Sequence, residues 1–137
     1  MTMLWVALAV LVTGMLCDLR RHEIPDLVPL ALLALAVWSV VARTPPRSWI
    51  EVAEGFALAL TLGGGLFAAG GFGGGDVKVL AALGALIGPR DLFALCFYTA
   101  LAGGVLAVVA IVRGKRDLAY APAFVLGFLV LAVRGLQ

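Results

Sequence analysis

From residue 4 to residue 133 the chain is a succession of apolar runs broken only by short polar or glycine-rich turns, and that pattern leaves few folds open. The runs cover about residues 4–17, 27–42, 48–69, 76–87, 92–112 and 118–133. Composition reads the same way: 64% of the 137 residues are hydrophobic and 13% are charged. A soluble domain is roughly half apolar and about a quarter charged. Such a chain is expected to be an integral membrane protein, and in lipid a helix satisfies the backbone within each segment. The expectation is therefore an all-α, polytopic membrane protein with about six transmembrane helices. Residues 1–137 would form one membrane domain, without a soluble appendage or an internal repeat.

Local signals punctuate the runs. Pro25 can open the second helix, and Arg43-Thr44-Pro45-Pro46-Arg47 closes it. Ser48-Trp49-Ile50-Glu51 has the spacing of a capping box, with Trp49 placed for the membrane interface. The fourth run stops at Gly88-Pro89 and is short against the roughly 20 residues of a spanning helix. That helix is either sunk to one side or starts below the membrane surface. The net charge of +2 is too small to argue for nucleic acid as a partner. Cys17 and Cys96 form no CxxC pair, so no zinc module is encoded, and they read as small packing residues rather than a disulfide.

No positive residue precedes the first run, which separates it from a cleaved signal peptide. Arg20 and Arg21 follow it and place the N-terminus outside. Arg20, Arg21, Lys78, Arg113, Lys115 and Arg116 fall on one side of the membrane, against Arg43, Arg47, Arg90 and Arg134 on the other. The positive-inside rule makes the first side cytoplasmic. Two spans separate Asp18 from Asp76, so both acids lie at the same face whichever way up the protein sits.

Those two acids carry the chemistry. Gly70-Gly71-Phe72-Gly73-Gly74-Gly75-Asp76-Val77-Lys78 puts a carboxylate and an ammonium at the edge of apolar sequence, where charge is costly. Asp18, followed by Arg20, Arg21, His22, Glu23, Pro25 and Asp26, forms a second polar patch of the same kind. Two carboxylates at hydrogen-bonding distance share one proton, and such a pair can activate water against a peptide carbonyl without metal or cofactor. A divalent cation would need six or more oxygens, and few are offered.

Taken singly the residues have plainer readings. Asp18 would be a solvated acid at a helix end, and Asp76 a cap on the fourth helix. Gly63, Gly64, Gly65, Gly103 and Gly104 would be helix-packing positions. His22 would be an exposed loop residue, Glu54 would snorkel or pair with Arg47, and Glu51 and Asp117 would be helix-start acids. As a pair, Asp18 sits at a helix C-terminus and Asp76 at a helix N-terminus beside Lys78. The shared proton is then expected on Asp18, with Asp76 as the base and Lys78 as a tuning charge.

Gly73-Gly74-Gly75-Asp76 followed by Lys78 resembles the GxGD motif, with its trailing lysine, of the type IV prepilin peptidases. Asp18, with Arg21, Ile24 and Pro25 after it, resembles that family's first aspartate and its Ile-Pro turn. Ala119-Tyr120-Ala121-Pro122-Ala123-Phe124 resembles a degenerate form of its late Pro-Tyr-Gly-Pro segment. The resemblance spans the chain and implies a GxGD-type aspartic protease fold with Asp18 and Asp76 catalytic. Gly73, Gly75, Lys78, Pro25 and Pro122 would be supporting positions, with no cofactor and no metal. It further implies prepilin or pseudopilin substrates, cut at the cytoplasmic face of the inner membrane to release a basic leader.

Larger members carry an N-terminal zinc-binding region with paired cysteines and also N-methylate the product. Neither that extension nor its cysteines are in this sequence, so the expectation is a minimal peptidase of the kind serving Flp or tight-adherence pili, with methyltransferase activity not expected. Asp26 stands where the family often has asparagine. The alternatives are a presenilin-like GxGD intramembrane protease, or a small transporter or structural subunit with Asp76 and Lys78 as an ion pair. Against the first, Asp18 follows Cys17 rather than tyrosine, and Pro122-Ala123 is followed by Phe124 rather than leucine.

Overall fold

A computed structural model describes residues 2–21, 24–43, 47–114 and 121–134. Six helices are present among them: α1 Thr2–Arg21, α2 Leu27–Ala42, α3 Trp49–Ala68, α4 Gly74–Ile87, α5 Pro89–Val112 and α6 Ala121–Arg134. The architecture is all-α, as the apolar runs require. Three helices are long and apolar enough to cross a membrane, spanning Met3–Arg21, Trp49–Ala68 and Pro89–Val112. The apolar helices α2 and α6 have 16 and 14 residues. At 1.5 Å per residue they reach only about 24 and 21 Å, against a hydrocarbon core of about 30 Å.

Most boundaries follow from the residues that mark them. Ser48 accepts from the Glu51 N–H at 3.2 Å and the Ser48 N–H donates to the Glu51 carboxylate at 3.3 Å, a complete capping box opening α3. Gly88 ends α4 with φ +83, a conformation that favours glycine, and Pro89 starts α5 at once, three residues ahead of the run at 92–112. The first run was expected to stop at Asp18, yet α1 continues to Arg21. Nothing in Asp18-Leu19-Arg20-Arg21 breaks a helix, and two cations in a last turn complement its dipole. Thr44, Pro45, Pro46, His22, Glu23 and residues 115–120, with Asp117, Ala119 and Tyr120 among them, lie outside the described residues.

The outer helices form a ring in the order α1, α2, α3, α5, α6 and back to α1, and α4 fills its interior against α2, α3 and α5. Every residue from Val79 to Ile87 is buried, so α4 is covered on all sides, as its all-round apolar sequence demands. This accounts for its length: a helix surrounded by protein need not match the bilayer.

The α3–α4 contact is a small-residue seam. Gly55, Ala59 and Gly63 share one face of α3 and are buried against α4. A Cβ on Gly55 would overlap the Gly84 carbonyl oxygen, and a Cβ on Gly84 would overlap Gly55 and Ala59. Of the glycines expected to pack, Gly63 does so against Val77 and Leu80, whereas Gly64, Gly65 and Gly104 have open space where a side chain would be. Gly103 meets only Ala123, at ordinary contact distance. Gly127 of α6 packs directly on Thr99 of α5.

At the far end of α4, Arg47 donates to the Leu86 carbonyl. Burial works against its charge there, and Asp91 and Glu51 support it. Glu54, expected to snorkel or to pair with Arg47, is exposed. Cys17 and Cys96 are free and half-buried.

Candidate active site

One end of the bundle gathers the last turn of α1, the start of α2 and the start of α4 around an open pocket of about 540 Å³. Its walls are Asp18 and Arg21 from α1, then Ile24, Pro25 and Asp26, then Gly73, Gly74, Gly75, Asp76 and Lys78. Asp18, Asp76, Pro25, Gly73, Gly75 and Lys78, each singled out by sequence, thus meet at one place. Pro122, at the start of α6, is half-buried and does not line the pocket.

The two acids are each only 8% exposed, and burial raises the Asp76 carboxyl above its usual range, with the Gly73 N–H opposing the rise and the charge of Asp18 adding to it. Asp18 reaches the pocket from the last turn of α1. Asp76 sits in the first turn of α4, and its Oδ2 accepts from the Gly73 N–H at 3.1 Å. Its carboxylate therefore closes the helix start, as the capping reading expected, while it also faces the pocket. The glycines of the motif differ in what surrounds them. A Cβ on Gly73 would stand 3.3 Å from Asp76 Oδ2, and one on Gly75 would press on Ile24 at 3.4 Å. Gly74, between them, has nothing within 4 Å. The outer two glycines admit the carboxylate and the Ile24 turn, and the middle position carries no such demand.

Lys78 was expected to act on Asp76. Its ammonium instead meets Asp26 Oδ1 at 2.6 Å across the pocket rim, with both side chains largely exposed. Asp26 stands at the N-cap of α2 without capping it, because its carboxylate is turned to Lys78. The carboxylate at position 26 thus makes an ion pair between the start of α2 and α4. Among the described residues no three His, Cys, Asp or Glu side chains converge to hold a metal.

Below the pocket, Phe124 of α6 is 1% exposed and borders Leu11, Gly14 and Met15 of α1, Ile24, Val28 of α2 and Val79 of α4 around a narrow crevice. Phe72, in the glycine-rich connector, meets it edge-on with ring centroids 5.9 Å apart. The sequence reading gave neither ring a role. The signal available was that Phe72 is the one large side chain in an otherwise glycine-rich stretch.

Fold and site together define a polytopic helical membrane protein with a paired-carboxylate pocket at one end of its bundle. Residues 5–108 match the type IV leader peptidase family, and the chain belongs to that family. The family resemblance read from the motifs therefore holds, and both acids fall within the matched residues. Over 70 residues the chain is 33% identical to the prepilin leader peptidase/N-methyltransferase of Bacillus subtilis. That alignment covers 48% of this chain and 28% of that protein, so the chain matches little more than a quarter of its relative. No solved structure matches the chain.

Proposed function

We propose that this protein is an aspartic endopeptidase that removes the leader of type IV prepilin-like proteins, using Asp18 and Asp76 to activate water. The observation that carries the reading is the convergence of two carboxylates, from different helices and both nearly buried, on one open pocket. The pocket's volume falls within the range of about 300–1,000 Å³ usual for ligand sites.

Asp76 is the base in this reading. It lies at a helix N-terminus, where unpaired N–H groups favour an anion, and the Gly73 N–H holds it. The two carboxylates share one proton, and in this reading Asp18 carries it. Asp76 takes a proton from water as the hydroxyl adds to the scissile carbonyl carbon. Asp18 gives its proton to the carbonyl oxygen, forming a neutral gem-diol. As the C–N bond breaks, Asp76 passes its proton to the leaving nitrogen and Asp18 recovers one from the diol.

The distribution of arginine and lysine between the two faces supports a pocket at the cytoplasmic edge of the membrane. There a basic leader remains in water while the apolar segment after it stays in the bilayer. The test is purified protein in vesicles with a peptide of basic leader, glycine and apolar segment, read by the mass of the products. Asp18→Asn and Asp76→Asn should each abolish cleavage while the helical signal is kept, because asparagine cannot exchange the proton. Cleavage at the wild-type rate by either variant overturns the dyad.

A further inference from the structure

The connector between α3 and α4 is nearly bare. From Ala69 to Gly75 its side chains are a methyl, hydrogens and one phenyl ring, that of Phe72. Gly70 and Gly74 have no neighbour within 4 Å of where a Cβ would stand, and the glycines from Gly70 to Gly74 are all exposed. A backbone of this composition has many conformations to choose from. Yet it must present the Gly73 N–H to Asp76 Oδ2 within hydrogen-bond reach.

Phe72 is half-buried and packed on the core, with its ring edge-on to Phe124. Phe124 cannot itself shift freely. It is buried among side chains of α1, α2 and α4, the helices that carry or flank both acids. Phe72 immediately precedes Gly73 in the chain. The links are thus continuous, from the core through Phe124 and Phe72 to the Gly73 N–H and the carboxylate of Asp76.

We propose that Phe72 is a positioning residue for the site: its contact with Phe124 anchors the glycine connector so that the Gly73 N–H is held on Asp76. This rests on the assignment of Asp18 and Asp76 as the catalytic pair. It also gives α6 a part in the chemistry, although Pro122 and the start of that helix stay outside the pocket. The charged groups that face Asp76 are Asp18 and Arg21 from α1, Asp26 from the start of α2 and Lys78 from its own helix. Phe72 carries none of these charges, and letting water in at its place would lower the Asp76 carboxyl, whereas losing the Gly73 N–H raises it, so a limb that moves toward neutrality reports the hydrogen bond.

The experiment measures kcat, KM and the pH–rate profile of full-length protein in vesicles, using the peptide described above, per folded molecule. Asp76→Asn is assayed first. If it cleaves normally, the catalytic assignment has failed, and the positioning role falls with it. With Asp76→Asn inactive, Phe72→Ala should lower kcat by about tenfold or more, the scale expected when a reacting group loses its position. KM should change by less than about twofold, a loss confined to the transition state. The acidic limb should move toward neutrality, because an N–H donated to a carboxylate favours its ionised form.

Phe72→Leu should restore most of the rate and the position of the limb. Phe124→Leu should shift the limb in the same direction. The double variant Phe72→Ala/Phe124→Leu should lose no more rate than Phe72→Ala alone, because both act through one contact. Phe67→Ala, an exposed ring on α3, should match the wild type. An unmoved acidic limb in Phe72→Ala, or losses at Phe72 and Phe124 that simply add, overturns the proposal even where the protein is less stable.

Discussion

Replacing Gly55 by alanine tests the seam that holds α4 in place. The substitution has two opposing effects. Alanine is a better helix former than glycine by about 1 kcal/mol. Against that, the new Cβ would overlap the Gly84 carbonyl oxygen and stand only 2.9 Å from its carbon and 3.0 Å from the Gly88 Cα. Carbon atoms rest at about 3.5–4.0 Å, so α3 and α4 must part by at least roughly half an ångström. The obstacle is backbone on both sides and cannot rotate away. Over-packing of this kind costs about 1–3 kcal/mol and occasionally more. The upper end applies here, leaving a net loss of about 2 kcal/mol. Gly64→Ala is the internal control: it has the same propensity gain and open space around the new methyl, so it should be neutral or stabilising by up to about 1 kcal/mol. Denaturant titration in mixed micelles, followed by helical signal, reads both. Cleavage should fall in Gly55→Ala because α4 carries Asp76 with it when it moves. Equal stability of Gly55→Ala and Gly64→Ala would refute the close-contact argument.

Gly73→Ala should reduce cleavage sharply while Gly74→Ala leaves it near wild type, since only the first methyl meets the Asp76 carboxylate; equal activities would contradict that distinction. Lys78→Met should leave the acidic limb of the pH–rate profile in place, because the ammonium is already engaged by Asp26. Its stability should change by less than about 1 kcal/mol, as for exposed ion pairs; a limb displaced toward neutrality would return Lys78 to the tuning role. Arg47→Met should lower stability by about 1–3 kcal/mol by leaving the Leu86 carbonyl without its donor, measured by the same titration. Single cysteines placed at Arg21 and at Arg47, in a background lacking Cys17 and Cys96, should label from the cytoplasmic and outer sides respectively with an impermeant reagent. Labelling of the Arg21 position from outside intact cells would reverse the orientation.

The sequence was informative wherever a signal acts locally. Pro89, Gly88 and the Ser48–Glu51 box mark helix ends by their own backbone chemistry, and the structure has them at those ends. Counting two spans between Asp18 and Asp76 put them at the same face, but their convergence on one pocket depends on packing that no such count supplies. The glycine seam was harder to read. Adjacent positions on a helix turn about 100° from one another, so Gly63, Gly64 and Gly65 cannot all face the same neighbour. The face that packs is Gly55, Ala59 and Gly63, spaced by four, and its partner Gly84 is distant in sequence. The extension of α1 past Asp18 was hidden because polar residues resemble a loop in an apolar chain, although arginine and leucine favour helices. Lys78 with Asp26, Phe72 with Phe124 and Arg47 with Leu86 pair residues from separate helices. No local pattern foretells which of several arginines or phenylalanines will meet.

The burial of α4 bears on how such a protein is made. A helix of 14 residues that is buried all round from Val79 to Ile87 has little to offer lipid on its own, and its opening turns carry an acid and a lysine. It enters the bilayer most easily as the second arm of a hairpin with α3, backbone against backbone along the glycine seam. The ring closes only when α5 and α6 have been synthesised and folded back, α6 against α1. Phe124, arriving in that last helix, is the ring on which Phe72 rests. On the proposed dyad reading, the two acids reach working register only once α6 has packed against α1, and a chain made only as far as α5 would lack a functioning site.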